Sequence, residues 1–237
     1  MKDQLYDFYI LHQRKYKENA LLVSIFTREF GKLSAIIRVP KKQANLYQSL
    51  VRLRGQISIA KKITGLSRVY NIELVESFYK KSYINLLSLQ YLNELLYLLL
   101  NYSHEEIRLF EKYSFIVENI ADENYKYFLR SFELELLESL GQGIYICDDI
   151  DSNEIQKDKC YVINGCDFKL AECEDSRTIR GSHLLKINDP INTWDEQDLK
   201  AISKVLRANL DVLLAGKELK SRELLMDYLN LNRPFRK

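Results

Sequence analysis

The hydrophobic period of this 237-residue chain changes once, near residue 80, and the change divides what its two parts can fold into. Before it, apolar residues fall in short runs between polar or Gly-containing connections, with candidate strands at residues 6–11, 20–26, 33–39, 51–60 and 67–76. In the fourth, Val51, Leu53, Gly55, Ile57 and Ile59 alternate with Arg52, Arg54, Gln56 and Ser58, giving one buried and one polar face. Five strands in about 75 residues suit a small closed barrel, most commonly the five-stranded oligonucleotide-binding (OB) barrel.

After residue 80 the spacing is helical. Residues 83–100 are mostly Leu, Ile and Tyr, residues 105–120 form a weaker helix, and residues 123–140 place Tyr125, Phe128, Leu129, Phe132, Leu136 and Leu140 on one face. Asp122 is the expected start of that third helix and Gly141 its stop. Residues 144–192, rich in Asp, Asn, Gly and Ser, read as an irregular or small-hairpin insertion. Thr193 and Glu196 have the spacing of a capping box before a further helix that Gly216 ends, and a last helix over 218–230 precedes a basic tail of Arg233, Arg236 and Lys237. The expected class is α+β: an OB-fold barrel over residues 1–80, then a mainly helical domain over 81–237 with an irregular insertion at about 144–192.

Residues 83–100 hold Asn85, Ser88, Gln90, Asn93 and Glu94, which a lipid span would exclude, so a buried core helix is expected there. The first residues are polar and charged and lack the apolar stretch of a signal peptide, which places the chain in the cytoplasm.

Charge divides at the same point. Residues 1–80 carry 15 Lys and Arg against 6 Asp and Glu, and residues 81–237 carry 20 against 27, so a net +9 meets a net −7 inside a total of +2. Between residues 14 and 68, thirteen cations face only Glu18 and Glu29, an imbalance that points to a polyanionic partner. The candidate nucleic-acid contacts are Arg14, Lys15 and Lys17, then Lys32, Arg38, Lys41 and Lys42, then Arg52 and Arg54. Tyr16, Phe30 and Tyr47 lie among them as candidate stacking platforms or core residues.

Catalytic patterns are missing. The chain has no G-x-x-x-x-G-K-[ST] phosphate loop, no G-x-G-x-x-G turn, no G-x-S-x-G elbow and no H-E-x-x-H helix, and His12, His104 and His183 each stand alone. Asp148, Asp149 and Asp151 lack the spacing of a calcium loop and read as solvated loop acids. Cys147, Cys160, Cys166 and Cys173 contain no C-x-x-C pair, so reduced thiols are expected rather than a zinc site completed by His183. No enzyme activity, cofactor or metal is expected.

The stretch Arg14-Lys15-Tyr16-Lys17-Glu18, with Phe26-Thr27, Gly31-Lys32 and Arg38, resembles the amino-terminal barrel of the RecO family of bacterial recombination mediators. Three later segments extend the resemblance over nearly the whole chain: Tyr91-Leu92-Asn93-Glu94-Leu95-Leu96, Arg130-Ser131-Phe132-Glu133 through Leu140-Gly141, and Gly216-Lys217-Glu218-Leu219-Lys220-Ser221-Arg222-Glu223-Leu224. It implies a DNA repair and recombination protein, associated with the nucleoid, that binds single- and double-stranded DNA and anneals complementary strands. It also implies action with RecR to load RecA onto DNA coated by single-stranded-DNA-binding protein (SSB), without nucleotide hydrolysis. Some members carry a four-cysteine zinc site in the insertion, which the single cysteines here do not match. Members also often follow the third strand with a Gly-containing basic loop, where this chain has Arg38-Val39-Pro40-Lys41-Lys42.

The resemblance further places in the acidic part a docking site for the acidic, Phe-terminated tail of SSB. Lys126 and Arg130 near Leu134 and Leu137 combine cations with an apolar surface, and Lys220 and Arg222 are further candidates for that tail or for DNA. Arg130 has the competing option of pairing with Glu133 or Glu135. An OB-fold module that binds RNA or scaffolds proteins is the alternative from another class, and a metal-dependent nuclease built on the Asp148 to Asp151 acids a more distant one.

Overall fold

The computed structural model describes residues 4–39, 47–62, 65–77, 81–171, 175 and 177–231. Lys41, Lys42, Cys173 and the basic tail therefore lie outside the described residues. Strands β1 (Leu5–Lys17), β2 (Ala20–Thr27), β3 (Gly31–Arg38), β4 (Val51–Ser58) and β5 (Ser67–Ser77) close into a barrel in the order β1-β2-β3-β5-β4. Only the β3–β5 seam is parallel, and it is short, pairing Ala35, Ile36 and Ile37 with Ser67, Arg68 and Val69.

Alternation fills the barrel. Phe8 and Ile10 of β1, Val23 and Ile25 of β2, Leu33, Ala35 and Ile37 of β3, Leu53 of β4 and Val69 of β5 form one buried cluster. Residues 8–11 of β1 are apolar without a break because both faces are covered. Tyr9 packs edge-on against Tyr113 at 5.0 Å between centroids and Phe26 against Phe110 at 5.3 Å, so helix α2 (Ile107–Asn119) roofs the outer side of β1 and β2. Helix α1 (Tyr83–Leu99) carries the buried residues Leu89, Leu92, Leu95 and Leu96 together with the buried Asn93.

The polar residues inside α1 are satisfied and positional. Asn93 Nδ2 donates to the Leu11 carbonyl at 2.6 Å, and its Oδ1 accepts from the Tyr113 hydroxyl at 3.2 Å. Leu11 is the extra residue of a bulge between the pairs Ile10–Ile25 and His12–Ser24, so its carbonyl is handed to the helix. Burial pushes the Tyr113 hydroxyl well above its usual range, which keeps it a proton donor. Glu94, the next residue, accepts from the backbone amides of Lys220 and Ser221 and from the Ser221 hydroxyl. It thereby caps the start of α6 (Lys220–Leu231) with a carboxylate from another helix.

The described residues divide into two compact units, Met1–Tyr125 with Leu219–Lys237, and Lys126–Glu218. Helices α1, α2 and α6 thus share a unit with the barrel. The second unit holds most of α3 (Tyr125–Ser139), a three-stranded sheet in the order β7-β6-β8, the short α4 (Gly181–Leu185) and α5 (Glu196–Leu214). Strands β6 (Cys160–Asn164) and β7 (Asp167–Leu170) are the expected hairpin of the insertion, and β8 (Ile179–Arg180) adds a third strand. No helix among the described residues is long and apolar enough to cross a membrane.

Four boundary expectations shift, the first at β1, which runs to Lys17, past the expected residues 6–11. Asp122 does not cap α3, because it accepts from the Ser82 hydroxyl and, at 2.7 Å, from Asn85 at the start of α1, while Asn124 Oδ1 takes the Ala121 amide. The capping box of α5 is Asp195 with Asp198 rather than Thr193 with Glu196, since the Thr193 hydroxyl closes a tight turn onto the Pro190 carbonyl. Ala215 already takes the left-handed conformation that ends α5, one residue before Gly216. Gly141 does end the region of α3, at φ 71°, with the Gly141 and Gln142 amides bonded to the Glu138 and Leu137 carbonyls.

Replacing Asn93 by Leu removes the donor to the buried Leu11 carbonyl and the acceptor of the Tyr113 hydroxyl. The expected loss is about 1–3 kcal/mol, read as a lower urea midpoint at unchanged m-value.

Candidate nucleic-acid interface

The cations of the first part sort into two groups according to what they meet. Lys32 is withdrawn from solvent, 3% exposed, with Nζ donating to the Tyr97 carbonyl at 2.9 Å and lying 4.4 Å from the centroid of the Tyr102 ring. Its backbone carbonyl accepts from Ser103, and a Cβ on the preceding Gly31, at φ 60°, would stand 1.7 Å from the His104 carbonyl oxygen. Gly31-Lys32 is therefore the joint between β3 and the segment after α1, and Lys32 is not presented to a phosphate.

Arg52 and Arg54 are also engaged. Both clamp Asp7 across the β1–β4 pair, Arg52 at 2.7 Å and Arg54 at 2.5 Å, and Arg52 reaches Glu118 of α2 at 3.0 Å. Burial alone would raise the Asp7 carboxyl; the hydrogen bonds from Arg54 and Arg52, with their charges, outweigh it and hold it below the usual carboxylate range. Arg28 pairs with Glu111 at 2.8 Å.

The second group stays at the surface, where Lys17 Nζ lies 5.5 Å from the centroid of the neighbouring Tyr16 ring. Arg14, Lys15, Lys17, Arg38 and Arg68 are exposed, and none makes an ion pair among the described residues. Three of them, Lys17, Arg38 and Arg68, line a groove of about 740 Å³ on the barrel. Its register is explicit: Lys17 of β1 pairs with Ala20, which pairs with Arg38 of β3, and Arg68 of β5 pairs with Ile36. Small and apolar Ala20, Ile36 and Val69 leave the space between the cations open.

Of the three candidate platforms, Tyr16 alone stands in the groove with its ring exposed, at 46%. Tyr47 is core, at 4%, although it also borders the groove. Phe30 packs edge-on against Tyr6 at 4.9 Å. Tyr70 of β5, 43% exposed, stands in the groove as well. Sequence reading passed over it because its alternation looked like that of any half-exposed strand residue.

The candidate tail-docking residues fall into both compact units. On α3, Lys126 is exposed, with Glu196 at 4.0 Å; Arg130 is bonded to the buried Glu133 at 2.9 Å; Leu134 is half-buried and Leu137 fully enclosed. This is the competing arrangement weighed for Arg130, and Leu137 offers no surface to a ring. Lys220 and Arg222 lie on α6, where Lys220 is exposed and the Arg222 guanidinium is 5.9 Å from the centroid of the Tyr91 ring.

The other candidate sites resolve into local structure. Asp149 Oδ1 accepts from the amides of Asp151 and Asn153, so the loop acids build a turn. Cys147 and Cys166 are exposed thiols and Cys160 is half-buried. Among the described residues the side chains close enough to share a cation are His183, Asp195 and Asp198, and there the Asp198 carboxylate already accepts from His183 Nδ1 at 2.6 Å and from the Asp195 amide.

Comparison with known proteins gives a consistent picture. Residues 1–78 match the family model described as recombination protein O N terminal, and residues 80–223 match recombination protein O C terminal. The chain is 64% identical over 230 residues to the DNA repair protein RecO of Francisella tularensis subsp. novicida, covering 97% of this chain and 99% of that one. It is 32% identical over 229 residues to the protein of that name from Pseudoalteromonas atlantica, with 91% of each covered, and 30% identical over 221 residues to that of Coxiella burnetii, with 92% and 95% covered.

The Asp7 clamp carries a pH signature. A carboxyl held below its ordinary value of 3.8 contributes stability that is present above that value and is lost as pH falls through the lowered folded value. Asp7→Asn is expected to lower stability at neutral pH and to flatten its decline below about pH 4, compared by urea unfolding from pH 7 down to pH 3.

Proposed function

The chain belongs to the recombination protein O family and works in DNA repair and recombination, and from that premise we propose that it is a DNA-binding mediator that anneals strands without chemistry of its own. The observation that carries this reading is the groove, where three unpaired cations, Lys17, Arg38 and Arg68, surround a floor of small and apolar residues on an OB barrel. In this fold, the strand 2–3 face and the loops after strands 1 and 4 form the usual seat of an oligonucleotide. Arg14 and Lys15, exposed on the same β1–β2 hairpin, extend the basic surface.

Neutralising backbone charge lowers the repulsion between two strands, and base pairing then supplies the driving force, about 1.4 kcal/mol per stacked step. The protein's task is to concentrate and align strands, so no residue is assigned a catalytic role. In this reading residues 1–80 handle DNA, and residues 81–237 serve partners: RecR, the tail of SSB, and RecA as the recipient of the cleared strand. For the tail, α3 remains the preferred surface, with Lys126 as the available cation and Arg130 able to exchange Glu133 for a terminal carboxylate. The same groove on an RNA-binding module would favour RNA over DNA of one sequence, and a competition between the two distinguishes the readings.

Replacing Lys17, Arg38 and Arg68 together by Ala is expected to flatten the dependence of log affinity for single-stranded DNA on log salt by about 2, at roughly 0.7 per phosphate contact. An unchanged slope in a salt titration removes DNA from the groove. Annealing of complementary strands precoated with SSB, with and without RecR, tests the mediator role itself.

A further inference from the structure

Both walls of the groove are built on irregularities of the strands. Along a regular strand, neighbouring side chains point to opposite faces. Yet Tyr16 and Lys17 both line the groove, as do Tyr70, Asn71 and Ile72. On β1, the register passes from Lys15–Leu21 to Lys17–Ala20, so Tyr16 is the extra residue of a bulge. On β5, the register passes from Arg54–Glu73 to Gln56–Tyr70, so Asn71 and Ile72 together oppose the single residue Gly55. Asn71 sits at φ 52° with its Nδ2 on Gln56 Oε1 at 2.7 Å. A Cβ on Gly55 would meet the Tyr70 carbonyl oxygen at 3.1 Å and the Val69 and Ile72 side chains at 3.2 Å, so the second bulge packs closely over the glycine opposite it. Bulges of this kind re-aim side chains beside binding sites.

Tyr16, the bulged residue of β1, and Tyr70, turned outward by the alternation of β5 just before its bulge, both line this basic groove, each more than two-fifths exposed. An aromatic ring left in water beside cations suits a ligand that has both flat apolar faces and phosphates. The lining offers little to read base edges: apart from the tyrosine hydroxyls and the cations, its polar side chain is Asn71, whose amide nitrogen is already bonded to Gln56. A duplex keeps its base faces stacked inside, whereas a single strand exposes them.

We propose that Tyr16 and Tyr70 are base-stacking platforms that make this groove selective for unpaired DNA, holding a strand by its base faces and phosphates and leaving the pairing edges free for a complementary strand. This rests on the assignment of DNA to the groove and adds what selects the strand and why its sequence does not matter. A mediator that gripped base edges would compete with the complementary strand; one that grips faces presents those edges to it.

The test uses the full-length protein with three probes: a 15-nucleotide oligo(dT), an abasic strand of the same length, and a 15-base-pair duplex. Tyr16→Ala and Tyr70→Ala are each expected to weaken oligo(dT) binding about 10-fold and to leave duplex binding and the salt slope unchanged. Tyr16→Phe and Tyr70→Phe keep the ring and should bind as the wild type does. The wild-type protein should bind the abasic strand about 10-fold or more weakly than oligo(dT), an outcome that needs no variant to fold. Equal affinity of the wild type for the two strands overturns the proposal, as does oligo(dT) binding unaffected by either alanine variant. Should the triple variant of Lys17, Arg38 and Arg68 still weaken binding in that case, stacking alone is lost and the groove stays a DNA site; should it have no effect, the DNA assignment of the groove falls too.

Discussion

Everything on the barrel's working side depends on one buried carboxamide. Asn93 of α1 takes the carbonyl of the bulged residue Leu11 and the hydroxyl of Tyr113, and so joins α1, β1 and α2 at one point. Without such a partner the bulge would bury an unpaired carbonyl, which the interior does not tolerate. Its position also matters, because β4 pairs with β1 only over residues 5–9. Past Leu11, β1 is exposed on every residue and runs on paired with β2 alone, carrying Arg14, Lys15, Tyr16 and Lys17. A helix amide thus marks where a buried barrel strand becomes a projecting wall of the groove.

Many of the motifs that carry the family resemblance are joints of the same kind. Gly31-Lys32 locks β3 to the segment after α1, Asn93 holds the bulge, Glu94 caps α6 through Ser221, and Gly141 closes α3. Such residues resemble the family because they build its fold, whatever the strand that fold holds. Tyr16, Lys17 and Arg38 belong to the same quoted motifs but make no such internal bond, and these are the ones found at the groove.

The order of elements was legible because a period of two and a period of 3.6 bury different residues, although the first strand, expected over residues 6–11, runs on to Lys17 where its exposed end no longer alternates. The fate of the cations was not legible. Lys17 and Lys32 look alike in sequence, and what separates them is Tyr97 and Tyr102, some seventy positions downstream of Lys32. Arg52 and Arg54 sat on the polar face of an alternating strand, as expected, yet that face meets Asp7 and Glu118 rather than solvent alone. Of the two readings open for Tyr47 the core one holds, and Tyr16 owes its place to a bulge of β1, a single-residue slip of register that leaves no mark on composition.

Charge therefore has to be counted by what remains after internal pairing. Asp7 and Glu118 take up Arg52 and Arg54, Glu111 takes up Arg28, and the Tyr97 and Tyr102 rings with a carbonyl hold Lys32, which engages four of the fifteen cations of residues 1–80 inside the molecule. The exposed Arg28–Glu111 pair adds little stability, but all these contacts remove competing positive patches from the surface. Of the exposed barrel-strand cations that make no ion pair among the described residues, Lys17 at the end of β1, Arg38 at the end of β3 and Arg68 at the start of β5 meet at one groove. A polyanion approaching such a barrel is drawn to the surviving charge rather than to the total. The pairing of arginines elsewhere is thus part of how a strand finds the two tyrosines.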